Sequence, residues 1–272
     1  MRKYLDMENA TLEVQLKNIK DYSLLLDNNS HEIVLQNFKR VIFHIDEKYI
    51  KELYYILKEK FENENILAMI YSNMTKIPKY DIIDNIIFVN TNESNIIKSD
   101  NIFNLISLKD DNVKEVADII KDGSNIMINP IIDVNNISKF FETFNELTKL
   151  IDGKRINLNG YIIPSFLMRE HPCNAYLCDG CHCKKEISCL PKYITINSDF
   201  EVYPHDLFYD KLRIGNTNNK KITDVLEKYY SSDSYNEFIK YSKKVFIKYL
   251  SHYPYQYMPI VEYIRMEIEN DK

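Results

Sequence analysis

RVIFHIDEKYIKELYYILKEKFENENILAMIY, residues 40–71, carries the pattern that decides the fold class. It opens with the apolar run Arg40–Ile45 and closes with the apolar run Ile66–Tyr71, and both have the length of buried strands. Apolar residues between them recur at spacings of three and four, as on one face of a helix: Ile50, Leu53, Tyr54, Leu57 and Phe61. A strand, a helix and a strand in this order predict a βαβ unit with parallel strands.

The same rhythm continues along the chain. Further apolar runs predict strands over four stretches: Ile86–Val89, Phe103–Leu108, Ile126–Ile132 and Ile156–Ile163. Helical spacing predicts helices over residues 112–121 and 137–151, and also over residues 12–26, where Leu12, Leu16, Ile19 and Tyr22 recur. Repeated βαβ units indicate an α/β protein with a parallel sheet. Periodicity alone leaves open whether this is a doubly wound sheet or a partial β/α barrel.

After Pro164 the pattern changes, and we place a domain boundary near Ser165, between residues 1–164 and residues 165–272. Alternating residues over Lys192–Tyr203 predict a β-hairpin that turns around residues 197–199. Helical spacing predicts helices over residues 221–230, 234–249 and 259–269.

Charge and hydropathy exclude two classes of partner. The formal net charge is -5, whereas nucleic-acid binding relies on clustered Lys and Arg. No run of about 18 apolar residues is present that would span a membrane, and residues 1–6 are not followed by the apolar core of a signal peptide. We therefore expect a cytoplasmic protein that binds neither nucleic acid nor a membrane.

All five cysteines lie within seventeen residues, between positions 173 and 189: Cys173, Cys178, Cys181, Cys183 and Cys189. His182 lies among them and His205 follows. In a reducing compartment, a crowded and odd-numbered set of thiols indicates metal ligation rather than disulfides or a free nucleophile. A zinc ribbon would show two cysteine pairs separated by a longer loop, which this spacing does not provide. Thiolates at such short spacing bind either zinc or iron in clusters.

The segment from Cys183 onward resembles a known module. Cys183 and Cys189 form C-x5-C, the predicted hairpin follows, its second strand ends in Val202-Tyr203-Pro204-His205, and Gly215-Asn216 comes later. This order resembles the auxiliary-cluster module, called SPASM or twitch, of radical SAM peptide and protein maturases. In that family the second strand ends in Val-Tyr-Pro-Cys, so His205 stands in place of a cysteine. The resemblance covers about residues 165 to 230 by motif, and residues 40–164 by the strand–helix rhythm alone.

The resemblance implies a partial (β/α) barrel of five or six parallel strands, followed by the hairpin metal module and C-terminal helices. Two motifs of the family are missing from this chain. Radical SAM enzymes bind their catalytic cluster with C-x3-C-x2-C after the first barrel strand, but this chain has no cysteine before Cys173 and no paired glycines of the kind that bind SAM. The chain therefore resembles the degenerate maturases of the CXXX-repeat peptide type. The resemblance implies an accessory protein for a ribosomally synthesised peptide, which acts beside a separate radical SAM enzyme by binding the peptide or the enzyme, or by electron transfer.

The resemblance also implies a ligand set for one [4Fe-4S] cluster. Cys183, Cys189 and His205 are carried over from the module, and Cys178 or Cys181 would supply the fourth ligand. An imidazole in place of a thiolate would raise the reduction potential of the cluster. A set made only of the five cysteines, including Cys173 and leaving His205 free, is equally allowed. Two alternatives stay open: a zinc-stabilised protein-binding module, and a metalloenzyme in which His205 moves away to admit substrate.

Two weaker candidates lie where β/α folds place ligands, at the carboxyl ends of predicted strands. His44 and Asp46 follow the first quoted strand and could form a catalytic pair. The structural explanation, which we prefer, is that His44 is a satisfied core residue and that Asp46 caps a helix beginning near Glu47. Asp133, after the strand ending at Ile132, has the same two explanations.

Overall fold

The fold was analysed in a computed structural model. The structure describes residues 11–36, 38, 40–80, 83–130, 137–152, 157–158, 162–164, 193–204, 208, 212–249 and 257–271. The five cysteines, His205, Asp133 and the expected domain boundary at Ser165 lie outside these residues.

A ten-stranded sheet forms the centre of the described protein. Its strands in chain order are β1 (Thr11–Val14), β2 (Arg40–His44), β3 (Leu67–Ser72), β4 (Ile86–Asn90), β5 (Ile102–Leu108), β6 (Ile126–Pro130), β7 (Asn157–Leu158), β9 (Tyr193–Ile196), β10 (Glu201–Tyr203) and β11 (Gly215–Asn216). Strands β1 to β7 are neighbours in chain order and parallel. On the other side of β1, β9 pairs parallel to it, and β10 and β11 follow antiparallel. A separate two-stranded sheet joins β8 (Ile162–Pro164) to β12 (Tyr257–Pro259).

The helices cover one face of the large sheet. They are α1 (Ile19–Leu35), α2 (Ile50–Phe61), α3 (Val113–Lys121), α4 (Ile137–Leu150), α5 (Ile222–Tyr230), α6 (Asp233–Tyr249) and α7 (Ile260–Asn270), with a 3-10 turn at Glu47–Tyr49. Leu12, Phe43 and Ile70, from neighbouring strands, share one core with residues of α1, α2 and α5. Ile106 and Ile128 face the same side and share a second core with residues of α3, α4, α6 and α7. Sequential strands with helices on one side exclude the doubly wound alternative, in which the strand order reverses.

The opposite face of the sheet is concave. Tyr71 on β3 donates a hydrogen bond to Met127 Sδ on β6 at 3.2 Å. In a flat sheet these positions would lie about 14 Å apart, because neighbouring strands are about 4.8 Å apart and side chains stand roughly perpendicular to the sheet. The two side chains meet only because the sheet curls toward them. The expected partial β/α barrel is therefore confirmed, and β1 and β9 add strands beyond those expected.

Most sequence-predicted elements between residues 40 and 130 are present, and so is the hairpin, as β9 and β10. The helix predicted over residues 12–26 is wrong in its first part. Thr11–Val14 is strand β1, and α1 begins at Ile19, where the side chain of Asn18 accepts hydrogen bonds from the Lys20 and Asp21 amides. The strand predicted over Ile156–Ile163 is also not continuous, since its described parts, β7 and β8, belong to different sheets.

Among the described residues, the helices are too short or too polar for any of them to cross a bilayer.

Candidate functional site

A cleft lies at the carboxyl ends of strands β1 to β4, the edge at which parallel β/α folds bind ligands. It has a volume of about 280 Å³. Its lining comes from four successive strand ends: Leu16, Lys17, His44, Ile45, Asp46, Tyr71, Ser72, Asn73 and Thr91.

Glu13 on β1 lies beneath this cleft on the concave face, with 7% of its surface exposed. Its Oε1 is 2.6 Å from His44 Nε2 and accepts a hydrogen bond from Gln15 Nε2 at 2.9 Å. Its Oε2 accepts a hydrogen bond from the Tyr193 hydroxyl on β9. Three polar side chains thus converge on the two carboxylate oxygens of Glu13, which can accept hydrogen bonds from all three.

His44 connects Glu13 to the cleft. Its side chain is 37% exposed, its Nε2 faces Glu13, and its ring packs against the ring of Tyr71 with centroids 5.1 Å apart. Nδ1 has no hydrogen-bond partner among the residues that the structure describes. One ring nitrogen is therefore fixed by the protein and the other is open.

Two tyrosines hold the walls of the site. The Tyr22 hydroxyl on α1 accepts a hydrogen bond from the Leu16 amide at 3.0 Å and donates one to the His44 carbonyl oxygen, so it joins α1, β1 and β2. Burial raises the pKa of Tyr22 and of Tyr71 well above the ordinary tyrosine value. Both remain neutral phenols near pH 7.

The Ser72 hydroxyl lies in the wall of the same cleft. Ser72 is 2% exposed, and its Oγ has no hydrogen-bond partner in the described part of the protein. A buried hydroxyl without a partner costs roughly 1–3 kcal/mol. Because the oxygen itself is inaccessible, a ligand in the cleft would not reach it as it stands.

One residue of the cleft lining, Lys17, pairs with the hairpin. Lys17 Nζ, in the β1–α1 connection, is 2.6 Å from Asp199 Oδ1 in the β9–β10 turn. This hydrogen bond raises the pKa of Lys17. Both side chains are exposed, so the ion pair positions the turn and adds little stability.

The metal ligands expected from the sequence are Cys173, Cys178, Cys181, Cys183, Cys189 and His205, and none lies among the described residues. Within the described ranges, no group of three or more His, Cys, Asp or Glu side chains could hold a metal ion. The metal site therefore stays a prediction.

The structure changes the interpretation of His44 and Asp46. Both line the cleft, but the partner of His44 is Glu13. Asp46 occupies the capping position of the Glu47–Tyr49 turn without making a side-chain capping bond, so the expected capping role is wrong. Its carboxylate lies 3.8 Å from Lys48 Nζ instead. Sequence reasoning missed Glu13 because it placed residue 13 in a helix; the signal available was an acidic residue within the short run Thr11–Val14.

Several residues of the hairpin motif have clear structural roles. The Tyr203 hydroxyl donates to Glu201 at 2.9 Å, and burial is the main cause that raises the pKa of Tyr203 to about 12. A Cβ at Gly215 would lie 2.8 Å from Val225 Cγ1 on α5, so only glycine allows this close approach. Asn216 Nδ2 donates to the Asp199 carbonyl oxygen at 2.8 Å. These residues hold the hairpin against α5.

Comparison with known proteins identifies the fold. The crystal structure of SuiB from Streptococcus suis matches with a TM-score of 0.54 and 13% identity, over 86% of this chain and 68% of SuiB. The fold resembles that of SuiB. SuiB bound to S-adenosylmethionine matches with the same TM-score and identity, over 86% of this chain and 66% of SuiB. SuiB bound to its precursor peptide SuiA gives a TM-score of 0.43 at 13% identity, over 85% and 66% of the two chains.

No protein-family model and no curated protein sequence matches the chain. At 13% identity the likeness to SuiB concerns the fold alone. The expected α/β fold class agrees with it.

Proposed function

We propose that this protein is an accessory factor in the maturation of a ribosomally synthesised peptide. It binds the peptide precursor, works beside a separate radical SAM enzyme and generates no radical itself. The observation that carries the proposal is a SuiB-like barrel in which the connection after the first strand has no cluster ligands.

That connection, residues 15–18, is occupied by other contacts. Gln15 donates to Glu13, and Leu16 is 7% exposed, with its amide bonded to Tyr22. Lys17 pairs with Asp199, and Asn18 caps α1. A catalytic cluster at this place would need three thiolates, and the sequence has none before residue 173. This supports a degenerate relative of the radical SAM enzymes.

The concave face is the surface we propose for the peptide. Its buried centre is apolar: Ile42, Met69, Tyr71, Val89 and Met127. Around this centre lie half-buried apolar side chains: Leu67, Ile87, Phe103 and Leu105. Such a surface fits apolar side chains of an extended peptide. SuiB, whose fold is similar, has been crystallised with the precursor peptide SuiA.

The cysteine segment is the metal module of the proposal. Cys183, Cys189 and His205, with Cys178 or Cys181, would hold one [4Fe-4S] cluster, and Cys173 is the remaining thiol. The described hairpin pairs Tyr203 with Thr195 in antiparallel strands, so the start of β9 and the end of β10 lie at the same end of the hairpin. Cys189 lies four residues before Tyr193, and His205 lies two residues after Tyr203. When bound, such a cluster supplies one-electron transfer; zinc on the same ligands would serve structure alone.

The metal is tested by anaerobic purification with iron, sulfide and zinc analysis and an absorption spectrum. We expect about four iron and four sulfide per chain, lost in Cys183→Ser and Cys189→Ser, and a spectrum altered in His205→Cys. His182→Ala is the matched control within the segment and should leave the metal content unchanged. Zinc without sulfide would replace the cluster with the zinc-stabilised module.

The accessory role is tested with S-adenosylmethionine and dithionite. We expect no 5′-deoxyadenosine from the purified protein, because it has no thiolates for a catalytic cluster beside β1. Reductive cleavage of S-adenosylmethionine by the protein alone would overturn the accessory role.

The peptide surface is tested with linear peptides selected from a display library against the wild type. Phe103→Lys and Leu105→Lys, on the concave face, should weaken binding of the selected peptides about tenfold or more, since each places a charge against apolar contacts. Leu24→Lys is the control, because Leu24 is 44% exposed on α1, in the helix layer. Equal affinities for the concave-face variants and the control would contradict the proposal.

A further inference from the structure

The Glu13–His44 pair is a second site, separate from the cysteine segment. We propose that His44, oriented by Glu13, is an acid–base catalytic residue of the carboxyl-edge cleft and exchanges a proton through Nδ1 with a thiol or an amine of a ligand bound there. Glu13 is the positioning residue.

Glu13 fixes the orientation of the His44 ring. Glu13 Oε1 lies 2.6 Å from His44 Nε2, so Nε2 carries a hydrogen and Nδ1 is the nitrogen that gains and loses a proton. Glu13 is held in turn by Tyr193 and Gln15. A buried carboxylate that fixes the tautomer and direction of an imidazole is the arrangement used by hydrolytic triads.

The proton transfer balances without any further reactant. The S–H bond of a thiol, or one N–H bond of an ammonium group, breaks, and an N–H bond forms at Nδ1. A thiolate or a neutral amine remains in the cleft beside an imidazolium, and the reverse step returns the proton. No electrons move. The positive charge appears on a ring that lies 2.6 Å from a carboxylate that is only 7% exposed, and a low local dielectric strengthens this attraction.

Nδ1 is the nitrogen of this pair that a ligand can reach, since the His44 side chain is 37% exposed. His44 Nδ1 has no partner among the described residues, and the ring borders a cleft of about 280 Å³.

The other polar side chains around His44 stay protonated or are engaged elsewhere, so His44 is the residue that we assign to proton exchange. Tyr22 and Tyr71 stay protonated because burial raises the pKa of each. Lys17 is engaged by Asp199, and Asp46 lies at the exposed rim near Lys48. Tyr193 is directed at Glu13.

The class of ligand follows from matched acidity. Proton transfer is efficient when donor and acceptor have pKa values within a few units, and thiols near 8.5 and amines near 8 to 10 lie closest to imidazole. A carboxylic acid is already ionised at neutral pH and would be repelled by Glu13. A volume of about 280 Å³ admits a small molecule or one side chain of a peptide.

The reactivity of Nδ1 is tested by acylation of the full chain with p-nitrophenyl acetate, mapped to individual histidines by mass spectrometry. We expect His44 to acylate at least about tenfold faster than His31, which is exposed on α1. Glu13→Gln should slow acylation of His44 about tenfold, because the neutral amide neither fixes the tautomer nor stabilises the positive ring. His31→Gln is the control and should leave the rate at His44 unchanged.

The tautomer and the ligand class are tested by NMR. Long-range ¹⁵N spectra should show a hydrogen on Nε2 of His44 in the wild type and a mixture of tautomers in Glu13→Gln, a change that a purely structural role would not require. 2-Mercaptoethanol and ethylamine should shift the His44 resonances of the wild type, whereas ethanol should not.

Acylation of His44 no faster than of His31, or rates unaffected by Glu13→Gln, would overturn the proposal, as would equal shifts with all three probes. If Glu13→Gln does not fold, Tyr193→Phe decides, since it removes one bond that holds Glu13 and should slow acylation about threefold. These measurements need no metal, peptide or partner enzyme, so their failure would leave the proposed accessory role untouched.

Discussion

Glu13 and Glu32 are two nearly buried carboxylates on consecutive elements, β1 and α1, with 7% and 5% of their surfaces exposed. Each binds residues from the C-terminal third of the chain: Glu13 binds Tyr193, and Glu32 binds Lys221 and Thr223. Glu13 and Glu32 are similar in burial and in the kind of partner they bind. They differ in where their hydrogen-bond networks end.

The network of Glu32 is closed in the sense that it ends inside a joint between two helices, where Gln36 Oε1 is buried without a partner among the described residues. Lys221 Nζ and Thr223 Oγ1 each donate to it at 2.6 Å, and the Lys221 hydrogen bond is the main cause that lowers the pKa of Glu32. Beside it, Asn29 accepts from the Ile222 amide at 2.7 Å and Gln36 donates to Thr223 at 3.2 Å. The whole set joins α1 to the first turn of α5.

The network of Glu13 is open, because His44 carries it to a cleft and ends there in an unpartnered nitrogen. Burial of a carboxylate therefore does not distinguish structure from function in this fold. The place where the network ends does: a network that ends inside a joint stabilises the joint, and one that ends at a cleft presents chemistry to a ligand.

The largest expected effect breaks the closed network. Glu32→Leu should lower the free energy of unfolding by about 2 kcal/mol, because the buried Thr223 hydroxyl and the half-exposed Lys221 lose their acceptor. Urea denaturation measures this change. Glu59→Leu, at an exposed position, is the control and should change stability by less than about 0.5 kcal/mol. A similar small change for Glu32→Leu would mean that the joint does not depend on this network.

A smaller effect is expected at the open network. Tyr193→Phe removes the hydroxyl that donates to buried Glu13 and should cost about 1.5 kcal/mol. Tyr203→Phe is the matched control on the same face of the same hairpin, where the acceptor Glu201 is more exposed, and should cost about 0.5 kcal/mol. Equal losses in chemical denaturation would contradict the importance of Glu13 burial.

A matched pair of threonines sharpens the contrast further. Thr223→Val removes a donor to Glu32 and should cost about 1 kcal/mol. Thr195→Val should be neutral or slightly stabilising, because Thr195 Oγ1 is buried without a hydrogen-bond partner in the described structure. Thermal and urea unfolding of both variants test this, and a greater loss for Thr195→Val would show that its hydroxyl has a partner.

The smallest effect concerns pH. Since the pKa of Glu32 is lowered from 4.5 on folding, its contribution is complete above that value and is lost as pH falls through the folded-state pKa. The stability difference between wild type and Glu32→Gln should therefore be constant from pH 7 to about pH 5 and narrow below about pH 4.5. Urea titrations at several pH values measure it. A difference that widened toward acid would reverse the assigned sign.

Strands β2 to β6 could be predicted from sequence because each is a continuous apolar run of the length of a buried strand. Strand β1 could not, for a physical reason. Leu12, Leu16 and Tyr22 enter the same core from a strand, a connection and a helix, and their spacing happens to match one helical face. Once β1 was assigned to a helix, Glu13 could not be placed beside His44.

The pairing of β9 with β1 could not be predicted from the sequence either. Local patterns predict a hairpin at residues 192–203, but which strand it joins depends on contacts between positions far apart in the chain. Ile194 and Ile196 bury their side chains in the same core as Leu12 and Val14, and this core selects the partner strand. The cysteines were visible at once by their crowding, whereas the site at the carboxyl edge emerges only from the fold.

The position of β1 between β2 and β9 has a consequence for synthesis on the ribosome. Glu13 and Tyr193 are 180 residues apart, so at about 5–20 residues per second β1 waits roughly 10 to 35 s for its second neighbour. During that time its free edge is a template for pairing with other chains. Strand β1 precedes β2 to β7 in the chain and is nevertheless completed after them, so nascent chains that stop before residue 193 leave its edge exposed to aggregation.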